Sequence, residues 1–331
     1  MEKLRVFAFA DEASPAISGQ IAAMERNGLQ GLEIRGVDGE NVSDISLDKA
    51  REVRRRLEDA GLTVWSVGSP IGKIDLEKDD FAAHLDKLRH TLDVGRELGA
   101  KHLRMFSFYI PAGRTPESCR QQVVDQMGEM LRVGEGSGLL FCHENEKGIY
   151  GDVASRCKEL LDLFPALVGV FDPANFIQCG QDTWEAWELL ASRTYYMHIK
   201  DALADGNVVP AGHGIGQVKR ILDAYRAQGG TAVTIEPHLQ VFSGLQGLER
   251  EGEKTQMGAY CYENSDAAFD AACAALRALC ETNQWDLPKR PGRICVRAES
   301  FLCCRKIHLW GNGNAFGELR NGFSFGALLR W

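Results

Sequence analysis

Short runs of β-branched and aromatic residues recur along the chain, separated by longer stretches in which apolar residues return every three or four positions. The runs are RVFAFA (5–10), GLEIRG (31–36), TVWSVG (63–68), HLRMFSF (102–108), GLLFCHE (138–144), LVGVFD (167–172), YYMHIK (195–200) and TAVTIE (231–236). Their starts lie 26 to 39 residues apart, which leaves room for one helix and two short loops per interval. That is the rhythm of repeated βα units. Strands apolar on both faces that alternate with amphipathic helices require a parallel sheet covered by helices.

The helices have legible faces and ends. In SPAISGQIAAMERNG, Ile17, Ile21 and Met24 share a face and Asn27-Gly28 supplies the stop. In SLDKAREVRRRLEDAG, Ser46 is the expected N-cap, Ala50, Val53 and Leu57 face inward, and Gly61 ends the helix. Thr115 caps the next, with Pro116 at the first position, where its missing N–H is not needed. SDAAFDAACAALRALCE buries Phe269, Cys273, Leu276 and Cys280. Eight such units predict a (β/α)8 TIM barrel over residues 1–283. An open doubly wound sheet is the weaker alternative, because FAFADEAS after the first strand has no glycine fingerprint. In a barrel, function sits where the βα loops converge at the C-terminal ends of the strands.

The totals narrow the function class. The 331 residues are 44% apolar and 25% charged, ordinary values for a globular protein. No apolar run approaches the roughly 20 residues that cross a bilayer. Asp11 and Glu12 follow the first apolar stretch where a cleavable signal needs small neutral residues, so the expectation is a cytoplasmic protein without a membrane partner. The net charge of −8 disfavours nucleic acid, whose binding depends on clustered Lys and Arg. Ten cysteines without a CxxC pair read as buried thiols. The end of the chain differs in style. From Pro288 onward, eight basic residues stand against two acidic ones, with six glycines and no sustained period. Residues 284–331 are therefore expected to be a short irregular extension, basic and Gly-rich, that takes no part in the barrel fold.

The last residues of strands five to eight are Glu144, Asp172, His198 and Glu236. In a barrel these ends are consecutive around one rim, so the side chains can converge. Three carboxylates and one imidazole form a hard, oxygen-rich donor set suited to a divalent metal: Mn²⁺ first, with Mg²⁺ and Co²⁺ as alternatives and Zn²⁺ competing on raw affinity. His143-Glu144 does not begin an HExxH motif, since the second His falls on Lys147. Within FCHENEKGIYGD, Glu144 has the inward parity, Glu146 either supports a ligand from behind or belongs to the loop, and Asp152 is expected to cap the next helix. The glycine loop GHGIG (212–216) precedes a helix starting near Gln217, where freed N–H groups can take a phosphate or carboxylate.

As a set, the motifs ADE at 10–12, LEIR at 32–35, SPIGK at 69–73, HENEKGIYGD at 143–152, FDPANF at 171–176, HIKDA at 198–202, the glycine loop and IEPHL at 235–239 resemble the sugar phosphate isomerase/epimerase group of xylose isomerase-like TIM barrels. That superfamily also includes ketohexose epimerases, hydroxypyruvate isomerases, inosose dehydratases and, more distantly, endonuclease IV. The resemblance implies metal ligands at Glu144, Asp172, His198 and Glu236. It also implies Glu144 and Glu236 as the acid/base pair around a metal-stabilised enediolate of a sugar, sugar phosphate or keto acid. Lys200, Arg35, Lys73, His238 and Asn175 are the candidates for substrate contacts, each with a structural ion pair or hydrogen bond as its bland alternative. Asn175 and Ala204 stand where the ketohexose epimerases carry His and Arg, so that subtype is not expected. A metal-dependent dehydratase and a non-catalytic sugar-binding barrel are the rival readings. A homo-oligomer fits the family habit.

Overall fold

A computed structural model describes residues 2–242, 256–258 and 260–282. The expected extension 284–331 lies outside the described residues. The eight expected runs form the strands β1 (Arg5–Ala8), β2 (Gly31–Ile34), β3 (Thr63–Gly68), β4 (His102–Met105), β5 (Leu140–Glu144), β6 (Val168–Phe171), β7 (Thr194–Ile199) and β8 (Ala232–Ile235). They close into a barrel in sequential order, β1 pairing with both β2 and β8, and every pair is parallel. The fold is a (β/α)8 TIM barrel.

The covering helices are α1 (Ile17–Arg26), α2 (Leu47–Asp59), α3 (Phe81–Leu98), α4 (Pro116–Gly134), α5 (Ala154–Leu163), the short α6 (Pro173–Gln178), α7 (Thr183–Leu190), α8 (Val218–Ala227) and α9 (Ser265–Glu281). Their ends follow local chemistry. Ser46 accepts a hydrogen bond from the Lys49 N–H, and Thr115 forms a capping box with Ser118 behind Pro116. The α2 face Ala50, Val53, Leu57 and the α9 face Phe269, Cys273, Leu276, Cys280 are buried. On α1, Gln20 is buried and Ile21 only partly so, because the Gln20 amide donates to the Gly36 carbonyl at 2.9 Å. Asp152 does not cap α5. It pairs with Arg156, and the N-cap position belongs to Val153, which makes no side-chain cap. Two small antiparallel pairs, Gly36–Val37 with Glu40–Asn41 and Asp201–Ala202 with Val208–Val209, extend the loops after β2 and β7.

Two apolar layers result. The larger lies between strands and helices. The smaller fills the N-terminal half of the barrel interior with Phe7, Trp65, Cys142, Val170, Tyr196 and Ala232. Phe7 stacks on Trp65 at 4.7 Å between centroids, and Tyr196 meets the same indole edge-on. Seven described cysteines are free thiols, five of them buried. No helix among the described residues is long and apolar enough to cross a membrane.

Candidate active site

Side chains two residues apart on a strand share a face. One step beyond the apolar layer, the inward positions become Glu33, Arg104, Glu144, Asp172 and His198, followed by Arg35, Lys200 and Glu236 at the rim, all buried. The C-terminal half of the interior is therefore a charged layer. It brings together six buried carboxylates, Asp11, Glu12, Glu33, Glu144, Asp172 and Glu236, against three permanent cations, Arg35, Arg104 and Lys200.

Glu144, Asp172, His198 and Glu236 each offer one donor atom to a common centre, with all four atoms within 4.8 Å of one another. His198 Nδ1 lies 3.0 Å from Glu144 Oε1, 3.4 Å from Glu236 Oε2 and 3.8 Å from Asp172 Oδ2. The second polar atom of every member is anchored elsewhere. Arg104 Nη1 donates to Glu144 Oε2 at 2.9 Å, and Arg35 Nη1 donates to Glu236 Oε1 at 3.2 Å. Asp172 Oδ1 accepts the Asn175 N–H at the start of α6 at 3.0 Å, and His198 Nε2 faces Glu33 Oε2 at 3.2 Å. Each ligand candidate is thus aimed by an outer partner, the arrangement that orients donors around a metal.

The donor set fits a divalent ion. The carboxylates outnumber the cations, the imidazole presents Nδ1 to the centre, and Asp172 Oδ2 is fully buried without a directed hydrogen bond, although Lys200 Nζ is 2.8 Å away. Burial alone would raise the Glu144 carboxyl, but His198 and Arg104 outweigh it and hold it at about 2. Glu236 is likewise held well below the usual carboxylate range, Lys200 and His238 prevailing over burial. His198 shows the converse: burial opposes its charge, and Glu144 and Glu33 raise it well above the usual imidazole value. Burial raises Asp172 despite Lys200.

The five substrate-contact candidates occupy different situations. Lys200 Nζ is 2.8 Å from both Asp172 Oδ2 and Glu236 Oε2. Arg35 is shared between Asp11, Glu12 and Glu236 and stacks over Phe9 at 4.4 Å. Lys73 pairs with Glu146 at 2.7 Å and lies over the Phe106 ring. The Asn175 amide donates to the Asn145 carbonyl at 2.9 Å and to Glu144 Oε1 at 3.3 Å, so it braces a ligand candidate. His238 holds a left-handed backbone, φ +43°, its N–H donates to Glu12 Oε2 at 2.6 Å, and its Nδ1 is buried without a hydrogen bond.

The glycine loop is filled by the chain itself. The Asp201 carboxylate accepts the N–H groups of Gly212, Gly214 and Gly216 at 2.9 to 3.0 Å. A Cβ on Gly214 or Gly216 would come within 2.3 or 2.6 Å of Asp201 Oδ1, which explains the glycine spacing. The N–H groups expected to await a phosphate or carboxylate are committed to an internal carboxylate.

Glu33, Arg104, Asp11, Glu12 and Phe9 were not among the sequence-derived candidates. The signal for Glu33 and Arg104 was available: a charged residue in the middle of an apolar strand of a closed barrel must point into the barrel. Phe9, with the inward parity of Phe7, meets His198 edge-on at 5.3 Å and has the Arg35 and Arg104 guanidinium groups over its ring at 4.4 and 5.2 Å.

Fold and site define a parallel α/β barrel with a buried carboxylate–imidazole cluster at the C-terminal ends of its strands, able to hold a metal ion. The chain belongs to the xylose isomerase-like TIM barrel family, whose model matches residues 21–279. A comparison with curated protein sequences gave no significant match. Among solved structures, it is similar to the IolI protein with a bound zinc atom: TM-score 0.65, 14% identity, covering 84% of this chain and 99% of that one. It is also similar to an L-ribulose 3-epimerase: TM-score 0.65, 17% identity, 85% and 95% coverage. A third is AsbF of Bacillus anthracis, assigned as a 3-DHS dehydratase: TM-score 0.63, 15% identity, 84% and 99% coverage. At such identities the likeness speaks for the fold alone.

Proposed function

We propose that the protein is a divalent-metal-dependent isomerase or epimerase of a small polyhydroxy carbonyl compound, with Glu144, Asp172, His198 and Glu236 as metal ligands and Mn²⁺ as the first candidate ion. The observation that carries this reading is the common centre of four donor atoms whose second atoms are anchored outward. When bound, the ion supplies Lewis-acid stabilisation of negative charge on substrate oxygens, which acidifies the C–H between them. Glu144 and Glu236 come from β5 and the end of β8, three strands apart around the barrel, and can approach a substrate from different sides. One takes the proton and the other returns it, on the opposite face or on the neighbouring carbon. Held strongly anionic, both carboxylates are free of protons but weak bases, so their work depends on a strongly acidified C–H. Phe9 and Phe106 are fully buried and lie against the cationic groups of Arg35, Arg104 and Lys73.

The substrate class that fits best is an unphosphorylated sugar or keto-polyol. The phosphate-type loop holds Asp201, and Arg35, Arg104, Lys200 and Lys73 each already face a carboxylate. The likeness to a dehydratase fold supports a second reading, in which the same residues eliminate water from a β-hydroxy ketone. The test is turnover on a panel of free and phosphorylated ketoses and keto-inositols with Mn²⁺, and product analysis separates isomers from dehydrated products. Glu236→Gln is expected to lower kcat at least about 1000-fold on the active substrate while the circular dichroism spectrum is unchanged. Unaltered turnover would overturn the acid/base assignment.

A further inference from the structure

Lys200 follows His198 by two residues, one step beyond the end of β7, and its ammonium enters the ligand cluster instead of pointing away from it. Its two contacts, each 2.8 Å, are with Asp172 Oδ2 and Glu236 Oε2. Those are the oxygens that face His198 Nδ1, since Asp172 Oδ1 is bound to the start of α6 and Glu236 Oε1 to Arg35. Each carboxylate therefore has a single oxygen for the centre, and one ammonium contacts both.

We propose that Lys200 is a built-in competitor for the metal: its ammonium and a divalent ion claim the same two oxygens, and metal loading requires the side chain to turn out of the cluster. This rests on the metal-binding role proposed above for Asp172 and Glu236. Neither oxygen can be replaced by its twin without breaking the α6 cap or the Arg35 pair. A monovalent and a divalent cation in contact with the same two atoms also repel each other across a distance where buried charges are poorly screened. The lysine stem has four rotatable bonds, so the ammonium can leave without movement of the barrel. Lys200 thereby sets metal affinity below what the four donors alone would give.

The test is calorimetric titration of the full chain with MnCl₂ alone, which requires no knowledge of the substrate. Lys200→Met keeps the bulk of the stem and removes the charge, and it is expected to bind Mn²⁺ at least about tenfold more tightly than the parent. Lys200→Arg is expected to bind no more tightly than the parent. In EDTA, Lys200→Met should melt below the parent, because the carboxylates lose their internal cation, yet gain more on Mn²⁺ addition. An unchanged or weakened affinity in Lys200→Met, with the fold intact, would overturn the competition and make Lys200 a residue that holds the ligands in place. If parent and Lys200→Met both fail to bind Mn²⁺, Mg²⁺, Co²⁺ and Zn²⁺, the metal site itself falls. Binding by the parent without tightening in the variant removes only the role given to Lys200.

Discussion

The two halves of the barrel interior are built on the same strands, one pleat step apart, and have opposite chemistry. Cys142 is followed two residues later by Glu144, Val170 by Asp172 and Tyr196 by His198. The lower half is a packed apolar layer whose geometry is set by shape, with Trp65 stacked on Phe7. The upper half is a net of ion pairs whose geometry is set by charge. Tyr196 joins them, its hydroxyl donating to Glu33 Oε1 at 2.7 Å. The lower layer can therefore be expected to carry stability without affecting metal binding, whereas any change in the upper layer disturbs both.

The largest effects should separate the two halves. Trp65→Ala removes an indole packed against Phe7, His102 and Tyr196. It is expected to cost about 3–5 kcal/mol in urea unfolding, while the gain in stability on adding Mn²⁺ stays that of the parent. Arg104→Met is expected to cost a similar amount, about 3–5 kcal/mol, for a different reason: Glu144 stays buried with only the His198 imidazole beside it, and its outer oxygen loses the guanidinium. In that variant the Mn²⁺ gain should change, since Arg104 aims Glu144, a proposed ligand. Equal metal responses in the two variants would break the division between the halves.

How much of this was legible in the sequence follows the same division. Strand number, order and most helix ends were legible because each depends on local pattern: β-branched runs, Ser46, Thr115-Pro116 and the glycine stops, while the expected Asp152 cap failed because that carboxylate pairs with Arg156. The convergence of Glu144, Asp172, His198 and Glu236 could be read from strand-end position, since a parallel barrel places those ends on one rim. The partners that aim them could not. Arg104 and Glu33 sit mid-strand, and which carboxylate an arginine reaches across a barrel depends on tilt and closure. Asp201 binds glycines 11 to 15 residues further along the chain. The fit of an internal carboxylate to three alternate glycine N–H groups is a property of the folded loop.

A smaller effect tests a neutral polar group outside the charged layer. His84 Nε2 accepts the Gly72 N–H at 2.8 Å, so it must be unprotonated, and burial, reinforced by Lys87, lowers it to about 4. An unfolded chain takes up that proton near pH 6.5. The stability that His84 contributes is thus fully present above pH 6.5 and is lost as pH falls toward 4, with a slope of at most about 1.4 kcal/mol per pH unit. His84→Gln should show a shallower fall over that window in acid titration of the unfolding midpoint. An identical profile would mean that His84 does not titrate with unfolding.

The smallest effect comes from the same pair of residue types in the opposite medium. Arg54 and Glu58 lie one turn apart on α2, 2.7 Å from each other, with side chains 46% and 56% exposed. Water screens both groups, and ordering two long side chains offsets most of the attraction, so Arg54→Ala is expected to change stability by less than about 0.5 kcal/mol. Arg104 and Glu144, at 2.9 Å and almost fully buried, have the same contact without the solvent. If the surface substitution cost as much as Arg104→Met, the loss in the barrel could not be ascribed to an uncompensated buried charge. A difference of several kcal/mol between two arginines in nearly identical contacts would instead measure what the closed barrel does to a carboxylate that has lost its guanidinium, the condition that the proposed metal ion would relieve.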